Sequence, residues 1–361
     1  MNFRRFARFS ALFCVLVMLA ACVAPLEPVQ PSTQTNTASA TTAAEDSPVT
    51  DKKLVIYSGR NENLVGPLIE RFRNETGVDV QVRYGETAEM AATILEEGDN
   101  SPADVFFGQD AGALGALAQD GRLSTLPDDL LAQVDPRFRS KDGQWVGTSG
   151  RARVLVYNTD QVKAEELPQN IWGLTDPKWK GNIGWAPSNG SLQAFVTALR
   201  VTEGDARAEE WLVGMIKNDA KVYANNDAIV AAVASGEITT GLVNHYYMYR
   251  YQAEHGGDAP IANHYFPAGG AGALLNVASA GVLNTSQHKE TATEFIAFLL
   301  SNEAQQYFAS QTDEYPLAGR NIQTNPSVKP LDEIAAPDID LSNLNDLQGT
   351  LEMLQRVGAL N

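Results

Sequence analysis

The stretch Leu54-Val55-Ile56-Tyr57-Ser58-Gly59 predicts a short buried strand that ends in a turn. Apolar residues at helical spacing follow it up to Gly77, which predicts a helix that ends at that glycine. Residues 78–84 then alternate between apolar and polar, as in a second strand. A helix that ends at Gly98 and a strand at residues 104–107 continue the order. Strands that alternate with helices predict an α/β fold with a mostly parallel sheet.

A second set of alternating elements is predicted between residues 182 and 245. Its strands lie at residues 182–186, 221–224 and 239–245. In open sheets of this kind, ligands bind beyond the carboxyl ends of the strands. In the first set this rule selects residues 58–62, Gln109 and Asp110, each of which also suits a polar loop or a helix cap.

The size of the chain predicts two lobes. About 310 residues follow the N-terminal segment, which exceeds one hydrophobic core. Two extended runs, residues 153–158 and 272–283, are predicted to cross between the lobes as a two-strand hinge, so that the lobes close on a ligand. The predicted N-terminal lobe comprises residues 53–152 and 278–328, and the C-terminal lobe residues 153–277 and 329–361.

The N-terminus predicts a targeting segment. Three arginines precede an apolar run that is too short to span a bilayer, and the run ends in Leu19-Ala20-Ala21-Cys22. This ending resembles a bacterial lipobox, so residues 1–21 are predicted to be removed and Cys22 to be acylated; an ordinary cleaved signal peptide is the alternative. The other cysteine, Cys14, lies in the removed part, which excludes disulfides and cysteine-rich metal sites.

Residues 22–50 are predicted to form a flexible tether after the lipid-bearing cysteine. They are rich in Pro, Thr, Ser, Ala and Gln and contain too few large apolar residues to form a core. The formal charge is −17, and the loss of three signal-peptide arginines makes it −20. This charge argues against a nucleic-acid partner and weakly favours cations.

Two adjacent tyrosines, Tyr246 and Tyr247, stand where a predicted strand meets a helix. Phenolate is a hard oxygen ligand, and two of them suit a hard trivalent cation such as ferric iron. Neighbouring strand residues point to opposite faces, so both can reach one metal only if the strand ends near His245. A buried aromatic cluster is the alternative.

Helix starts and arginines predict an anion site. Unpaired N–H groups at the starts near Asn189 and Asn226 can hold an anion, although capping explains both residues equally well. Arg60, Arg151 and Arg153 are candidate anion partners, and surface or lobe-bridging ion pairs are the alternative.

Six runs stand in one order along the chain: Leu54-Val55-Ile56-Tyr57-Ser58-Gly59, Pro102-Ala103-Asp104-Val105-Phe106-Phe107, Ser149-Gly150-Arg151-Ala152-Arg153, Pro177-Lys178-Trp179-Lys180-Gly181, Asn244-His245-Tyr246-Tyr247 and Glu314-Tyr315-Pro316-Leu317. With these runs the sequence resembles bacterial ferric-ion-binding proteins, the extracytoplasmic substrate-binding components of ABC-type iron importers. The resemblance covers about residues 53–358.

The resemblance implies a two-lobe clam of the type II periplasmic-binding-protein class, which holds Fe(3+) as cargo in an interlobe cleft and is not an enzyme. Tyr246 and Tyr247 match the central ligands of the family. Asn61 and Gln109 stand where many members have histidine and glutamate, and their neutral oxygens are poorer partners for a trivalent ion. A synergistic anion (carbonate, phosphate or citrate) is therefore expected. Its implied binding residues are Asn189, Gly190, Ser191, Asn226, Asn244 and Asp110.

The implied partners are a membrane permease and its ATPase, with the protein acting as a monomer in the periplasm or on the outer face of the cell membrane. One competing interpretation keeps the fold but makes the cargo an organic or inorganic anion, or a ferric–anion chelate. A second is a lipid-anchored hydrolase, with His245 as the one candidate base. The four histidines form no HExxH pattern and no GxSxG motif is present, which argues against it. An adhesion module is a third, without specific support.

Overall fold

The computed structural model describes residues 52–360. The predicted signal peptide, the lipid-bearing Cys22 and the tether lie outside the described residues. Within the described part of the chain, every helix is too short or too polar to cross a bilayer.

The described residues form ten β-strands, eleven α-helices and eight 3-10 turns. The strands are β1 (Lys53–Ser58), β2 (Asp79–Tyr84), β3 (Val105–Gly108), β4 (Val146–Asn158), β5 (Ile183–Trp185), β6 (Lys221–Val222), β7 (Thr240–Asn244), β8 (Ile261–His264), β9 (Leu275–Val282) and β10 (Tyr315–Pro316). The α-helices are α1 (Glu62–Thr76), α2 (Thr87–Glu97), α3 (Ala111–Gln119), α4 (Asp128–Leu131), α5 (Gly190–Glu203), α6 (Asp205–Lys217), α7 (Asn226–Ala234), α8 (Tyr246–His255), α9 (Lys289–Leu299), α10 (Asn302–Gln311) and α11 (Leu347–Arg356). The 3-10 turns are Gly98–Asn100, Pro136–Phe138, Ala164–Glu166, Ile171–Thr175, Pro177–Trp179, Ala271–Ala273, Leu331–Glu333 and Leu341–Asn345.

The strands are hydrogen-bonded in the order β2-β1-β3-β9-β4-β7-β5-β6, and β8 and β10 also pair with β4. β1 runs parallel to β2 and β3, and β5 runs parallel to β6 and β7. In the centre, β4 and β9 run antiparallel to their neighbours. The prediction of a mostly parallel sheet is therefore wrong for the centre, because these two long strands join the parallel units from the opposite direction.

Strand β4 belongs to both halves of the sheet. Its residues 146–152 pair with β9, and its residues 153–157 pair with β7. The predicted run 153–158 is thus the second half of a longer strand. The other predicted run is extended only from Leu275, because Ala271–Ala273 form a 3-10 turn. Arg151 and Arg153 consequently lie on either side of the point where β4 changes partners.

Two clusters of buried apolar side chains form the core of the described residues. In the first, the rings of Phe72 on α1 and Phe295 on α9 meet edge-on with centroids 5.2 Å apart. In the second, Trp211 on α6 meets Phe195 on α5 in the same way at 5.3 Å. Such pairs stabilise a core beyond the area that they bury.

The C-terminal segment, residues 341–356, packs against both α3 and α5. The hydroxyls of Thr350 on α11 and Thr197 on α5 lie 2.7 Å apart. On the other side, the turn Leu341–Asn345 lies directly on α3, where a Cβ at Gly112 would collide with the carbonyl of Leu344. Glycine is therefore required for this close approach.

Candidate functional site

The tyrosine pair lies where strand β7 passes directly into helix α8. The strand ends at Asn244, and His245 already has helical dihedral angles, with φ −57° and ψ −38°. The alternation of strand side chains therefore stops before Tyr246. The rings of Tyr246 and Tyr247 stack with centroids 4.4 Å apart and an angle of 29° between their planes. Both phenols thus lie on the same side of the helix start, as the sequence argument requires.

Tyr246 is buried, with 6% of the residue exposed, and this burial is the largest influence on the pKa of its phenol. Burial raises the pKa of Tyr246 well above its ordinary value, the neighbouring Tyr247 phenol raises it further, and Arg151 opposes the shift. Tyr247 is more exposed than Tyr246. A cation bound here must therefore displace the proton of Tyr246 at neutral pH.

His245 anchors the start of α8 and is not available as a metal ligand or base. Its Nδ1 accepts a hydrogen bond from the N–H of Ala152 at 3.2 Å, and its Nε2 donates to the carbonyl of Asp313 at 2.8 Å. Its ring stacks on that of Tyr315 with centroids 4.5 Å apart. Burial lowers the pKa of His245 to about 4, so the ring is neutral at pH 7. The hydrolase interpretation therefore loses His245, its one candidate for a catalytic base.

Arg153 is a buried cation beside the tyrosines that has no carboxylate partner among the described residues. Its Nη1 donates to the Ser191 hydroxyl at 3.3 Å, and its Nη2 donates to the carbonyl of Leu242 at 3.0 Å. Its Nε is buried without a hydrogen-bond partner. Burial lowers the pKa of Arg153 to about 9, and both phenols of the pair oppose the shift. A buried guanidinium with a free N–H is suited to an anion.

Asn189, Ser191 and Asn226 form one hydrogen-bonded group at the start of α5. The Asn189 side chain caps the helix by accepting from the Ser191 N–H at 3.0 Å. The Asn226 amide donates to the Ser191 hydroxyl at 3.1 Å and to the Asn189 side chain at 3.3 Å. Its own carbonyl oxygen is buried without a partner. At Gly190, no atom lies within 4 Å of the position that a Cβ would occupy, so this position is open.

The capping interpretation is confirmed for Asn189 and wrong for Asn226. The cap of α7 is Asn225, whose side chain accepts from the Ala228 N–H at 2.9 Å. Asn226 is the first residue of the helix, so its side chain is free to turn towards α5. Asn244 is buried at the end of β7, where it pairs with Arg153 in the strand register.

Arg60 and Arg151 both contact Glu314 in the interior. Arg60 donates to both carboxylate oxygens of Glu314, at 2.9 and 2.8 Å, and Arg151 donates from Nη1 at 3.4 Å. Charge from Arg60 and Arg151 holds the pKa of Glu314 at about 2, against the effect of burial. The ion-pair alternative therefore describes both Arg60 and Arg151, although Arg151 also keeps a buried Nη2 without a partner.

The remaining candidates lie at helix starts. The Asp110 carboxylate caps α3 by accepting from the Ala113 N–H at 3.2 Å, and burial raises its pKa while Arg151 opposes the shift. Asn61 is exposed and caps α1 by accepting from the Asn63 N–H at 2.9 Å. The Gln109 N–H donates to Thr87 Oγ1 at 3.1 Å. Within residues 52–360, Asn61 and Gln109 make no hydrogen bond with the tyrosines.

The site differs chemically from an imidazole or carboxylate metal centre. Among the described residues there is no group of three or more His, Cys, Asp or Glu side chains that could hold a metal ion. The ligands that the chain offers here are the two phenols, surrounded by arginines and amides. Hard, anionic phenolate oxygens favour a hard trivalent ion.

We expect a pH effect on stability from His245. Its pKa falls from 6.5 in the unfolded chain to about 4 in the folded protein, so unfolding takes up a proton between these values. The free energy of unfolding should therefore decrease by about 3 kcal/mol as the pH falls from 7 to 4. Urea titrations of wild type and His245→Gln at several pH values measure this contribution. An equal pH dependence in both proteins would contradict it.

Solved structures share this architecture. Iron-bound HitA from Pseudomonas aeruginosa superposes with a TM-score of 0.79 and 34% identity, over 85% of this chain and 99% of that one. A Trichodesmium protein (IdiA, FutA), solved in complex with iron and citrate ligands, gives a TM-score of 0.74 and 30% identity, over 85% and 99% of the two chains. The chain thus has the type II periplasmic-binding-protein fold, which confirms the predicted fold class.

The sequence comparisons define the family. Residues 100–342 match the model of the bacterial extracellular solute-binding protein family. The Fe(3+)-binding periplasmic protein of Serratia marcescens is 31% identical over 311 residues, which cover 86% of this chain and 91% of that protein. The chain therefore belongs to the bacterial extracellular solute-binding proteins, which bind and carry solutes and are not enzymes.

Proposed function

We propose that this protein captures ferric iron together with an anion, with Tyr246 and Tyr247 as its iron ligands. The stacked tyrosine pair at the strand-to-helix junction is the observation that carries the proposal, because it brings two hard oxygen ligands to one side of a helix start. The names of the relatives from Serratia and Pseudomonas support iron as the cargo.

Charge favours a bound anion. Fe(3+) with two phenolates keeps one positive charge, and the unpaired Arg153 adds another inside a buried site. Asn61 and Gln109 contribute no charge. Arg153 offers a buried Nε–H without a partner, and its Nη1 contacts the Ser191 hydroxyl, to which Asn226 also donates. In this proposal Asn189, Gly190 and Asn244 complete the anion site. Carbonate, phosphate or citrate supplies the missing negative charge and the remaining ligand oxygens. The Trichodesmium structure with iron and citrate supports this arrangement.

In this proposal two lobes close over the loaded site. The lobes are residues 53–152 with 278–328, and residues 153–277 with 329–361, and β4 passes between them. The closed protein delivers its cargo to an ABC-type permease powered by its ATPase. The protein acts as a monomer, anchored through acylated Cys22 to the outer side of a membrane, in a periplasm or on a cell surface.

Titration of the iron-free protein with ferric citrate tests the proposal. A tyrosinate-to-iron charge-transfer band in the visible range is expected to grow to one iron per protein. The competing function is binding of an anion alone, which the unpartnered Nε–H of Arg153 favours. Calorimetry with citrate or phosphate in the absence of iron tests this alternative. Tight anion binding without any coloured iron complex would replace the iron proposal with it.

Replacing Arg153 with Gln is expected to weaken iron binding about 10- to 100-fold when the anion is present, because a charge-assisted hydrogen bond to it is lost. The same change should have little effect when the anion is left out. Affinity measured by competition with a chelator, at a series of phosphate concentrations, gives both values. Arg207→Gln is a suitable control, because that arginine is exposed and stacks on Trp172 at 3.7 Å. An anion response as strong in Arg153→Gln as in wild type would contradict the assignment.

A further inference from the structure

Glu314 is the centre of a buried polar cluster to which the proposed function assigns no role. Its side chain is 3% exposed. Besides the two arginines, it accepts hydrogen bonds from the hydroxyls of Ser149 and Thr312, each at 3.1 Å. The carboxylate thus receives donors from the β1–α1 loop, from β4 and from its own segment. A buried carboxylate with this many partners is fixed in position.

Arg151 contacts Glu314 and lies on β4 beside the residues that pair with the start of the tyrosine helix. Its Nη1 donates to Glu314, and its Nη2 is buried without a partner in the described residues. The next residue of β4, Ala152, exchanges two hydrogen bonds with His245, the residue before Tyr246: its N–H donates to His245 Nδ1 at 3.2 Å, and its carbonyl accepts from the His245 N–H at 3.0 Å. A buried N–H without an acceptor costs free energy unless a ligand or an ionised neighbour fills the position. The Tyr246 oxygen is a suitable acceptor, and it becomes a stronger one when iron displaces its proton.

The residues on either side of Glu314 reach the same junction. The carbonyl of Asp313 accepts from His245 Nε2 at 2.8 Å, and the ring of Tyr315 stacks on His245. Tyr315 also pairs with Gly150 of β4, one residue before Arg151. The tripeptide 313–315 therefore contacts both the residue that precedes the tyrosine pair and the strand that carries Arg151.

We propose that Glu314 is a positioning residue for the tyrosine site, acting through Arg151. Glu314 holds the Arg151 guanidinium so that Nη2 donates a hydrogen bond to the phenolate oxygen of Tyr246 in the iron-loaded protein. It also balances Arg60, which would otherwise repel Arg151 from this position. This inference rests on the proposed iron-binding function. A hydrogen bond to a ligand atom orients it and changes its donor strength, as second-layer groups around metals do.

The variants Glu314→Gln and Arg151→Met test the inference. Each is expected to weaken iron binding about 10- to 100-fold. Each should also move the tyrosinate-to-iron band to longer wavelength, because a phenolate without a hydrogen bond gives up an electron more easily. Glu303→Gln is the matched control, since Glu303 pairs with Arg71 on the exposed surface. A merely structural role of Glu314 would lower stability and leave the band of the bound iron unmoved.

The double variant Glu314→Gln/Arg151→Met distinguishes a positioning role of Glu314 from a merely structural one. If Glu314 acts through Arg151, Glu314→Gln should have little additional effect on the band and the affinity in the Arg151→Met background. Equal effects in both backgrounds, or an unmoved band in either single variant, would overturn the inference. Should Glu314→Gln not fold, as judged by circular dichroism, Arg151→Met alone decides, because the pair of Arg60 and Glu314 stays intact in it. A wild-type protein that forms no coloured complex would instead refute the proposed function itself.

Discussion

Replacing both Tyr246 and Tyr247 with Phe is expected to abolish the coloured iron complex and to lower iron affinity by about 1,000-fold or more per phenolate lost. Structural zinc sites of zinc-finger peptides bind their metal with about 10–16 kcal/mol, and a tenfold change in affinity corresponds to about 1.4 kcal/mol. Loss of one of few anionic ligands at a trivalent ion therefore removes a large share of the binding free energy. The measurement is competition against a chelator, followed in the visible band.

The fold should tolerate these changes. Phenylalanine keeps the ring, and the rings of Tyr246 and Tyr247 stack on each other. We expect the free energy of unfolding to change by no more than about 1 kcal/mol. Tyr251→Phe is the matched control, because Tyr251 lies on the same helix and stacks on His255 with centroids 4.0 Å apart. If the double variant bound iron as the wild type does, the tyrosine pair would not be the iron site.

Local patterns predicted the elements of the fold well. Gly77 ends α1 with the left-handed backbone that glycine adopts easily, at φ 69°, as its place after the apolar stripe indicates. The strand and helix of the tyrosine junction were likewise predicted from composition, and the structure ends β7 only one residue earlier, at Asn244. These features depend on neighbours in sequence, so a single sequence contains them.

The arrangement of strands was predicted less well. The antiparallel centre depends on β9 pairing with β4, between residues more than one hundred positions apart. Alternating patterns reveal that a strand exists and which faces it buries, but not its partner or direction. The sequence also does not show that β4 begins at residue 146. The first half of this strand contains Gly147, Ser149 and Gly150 and has no apolar run that would predict a strand.

In the candidate site too, features defined by neighbours in sequence are predictable, and features defined by distant contacts are not. The tyrosine pair and the cap Asn189 were recognisable because adjacent residues define them. Glu314 stands in one of the six matching runs, but its contacts depend on Arg60, 254 residues away, and on Arg151, 163 residues away. A lone glutamate ordinarily predicts an exposed position. Burial of a carboxylate by distant arginines leaves no local signal in the sequence.

Acidification is expected to weaken iron binding about 100-fold for each unit of pH between about pH 5 and 8. Burial raises the pKa of Tyr246 above the ordinary phenol value of about 10, so this phenol is protonated before iron binds. Each coordinated phenolate releases one proton, and two protons per iron give a hundredfold change per pH unit. Protons compete with iron for the phenol oxygens, so the affinity for iron decreases as the pH falls.

Proton release can be counted directly. Calorimetry of iron binding in buffers with different ionisation enthalpies gives the number of protons released at each pH, with the same ferric chelate added to buffer alone as the blank. Tyr247→Phe should release one proton fewer than wild type, and Tyr251→Phe should release the same number. Because Arg153 keeps its proton below its pKa of about 9, it does not contribute in this range. A release of fewer than two protons in wild type would mean that only one phenol ionises, and the site would then need a further anionic oxygen from the bound anion.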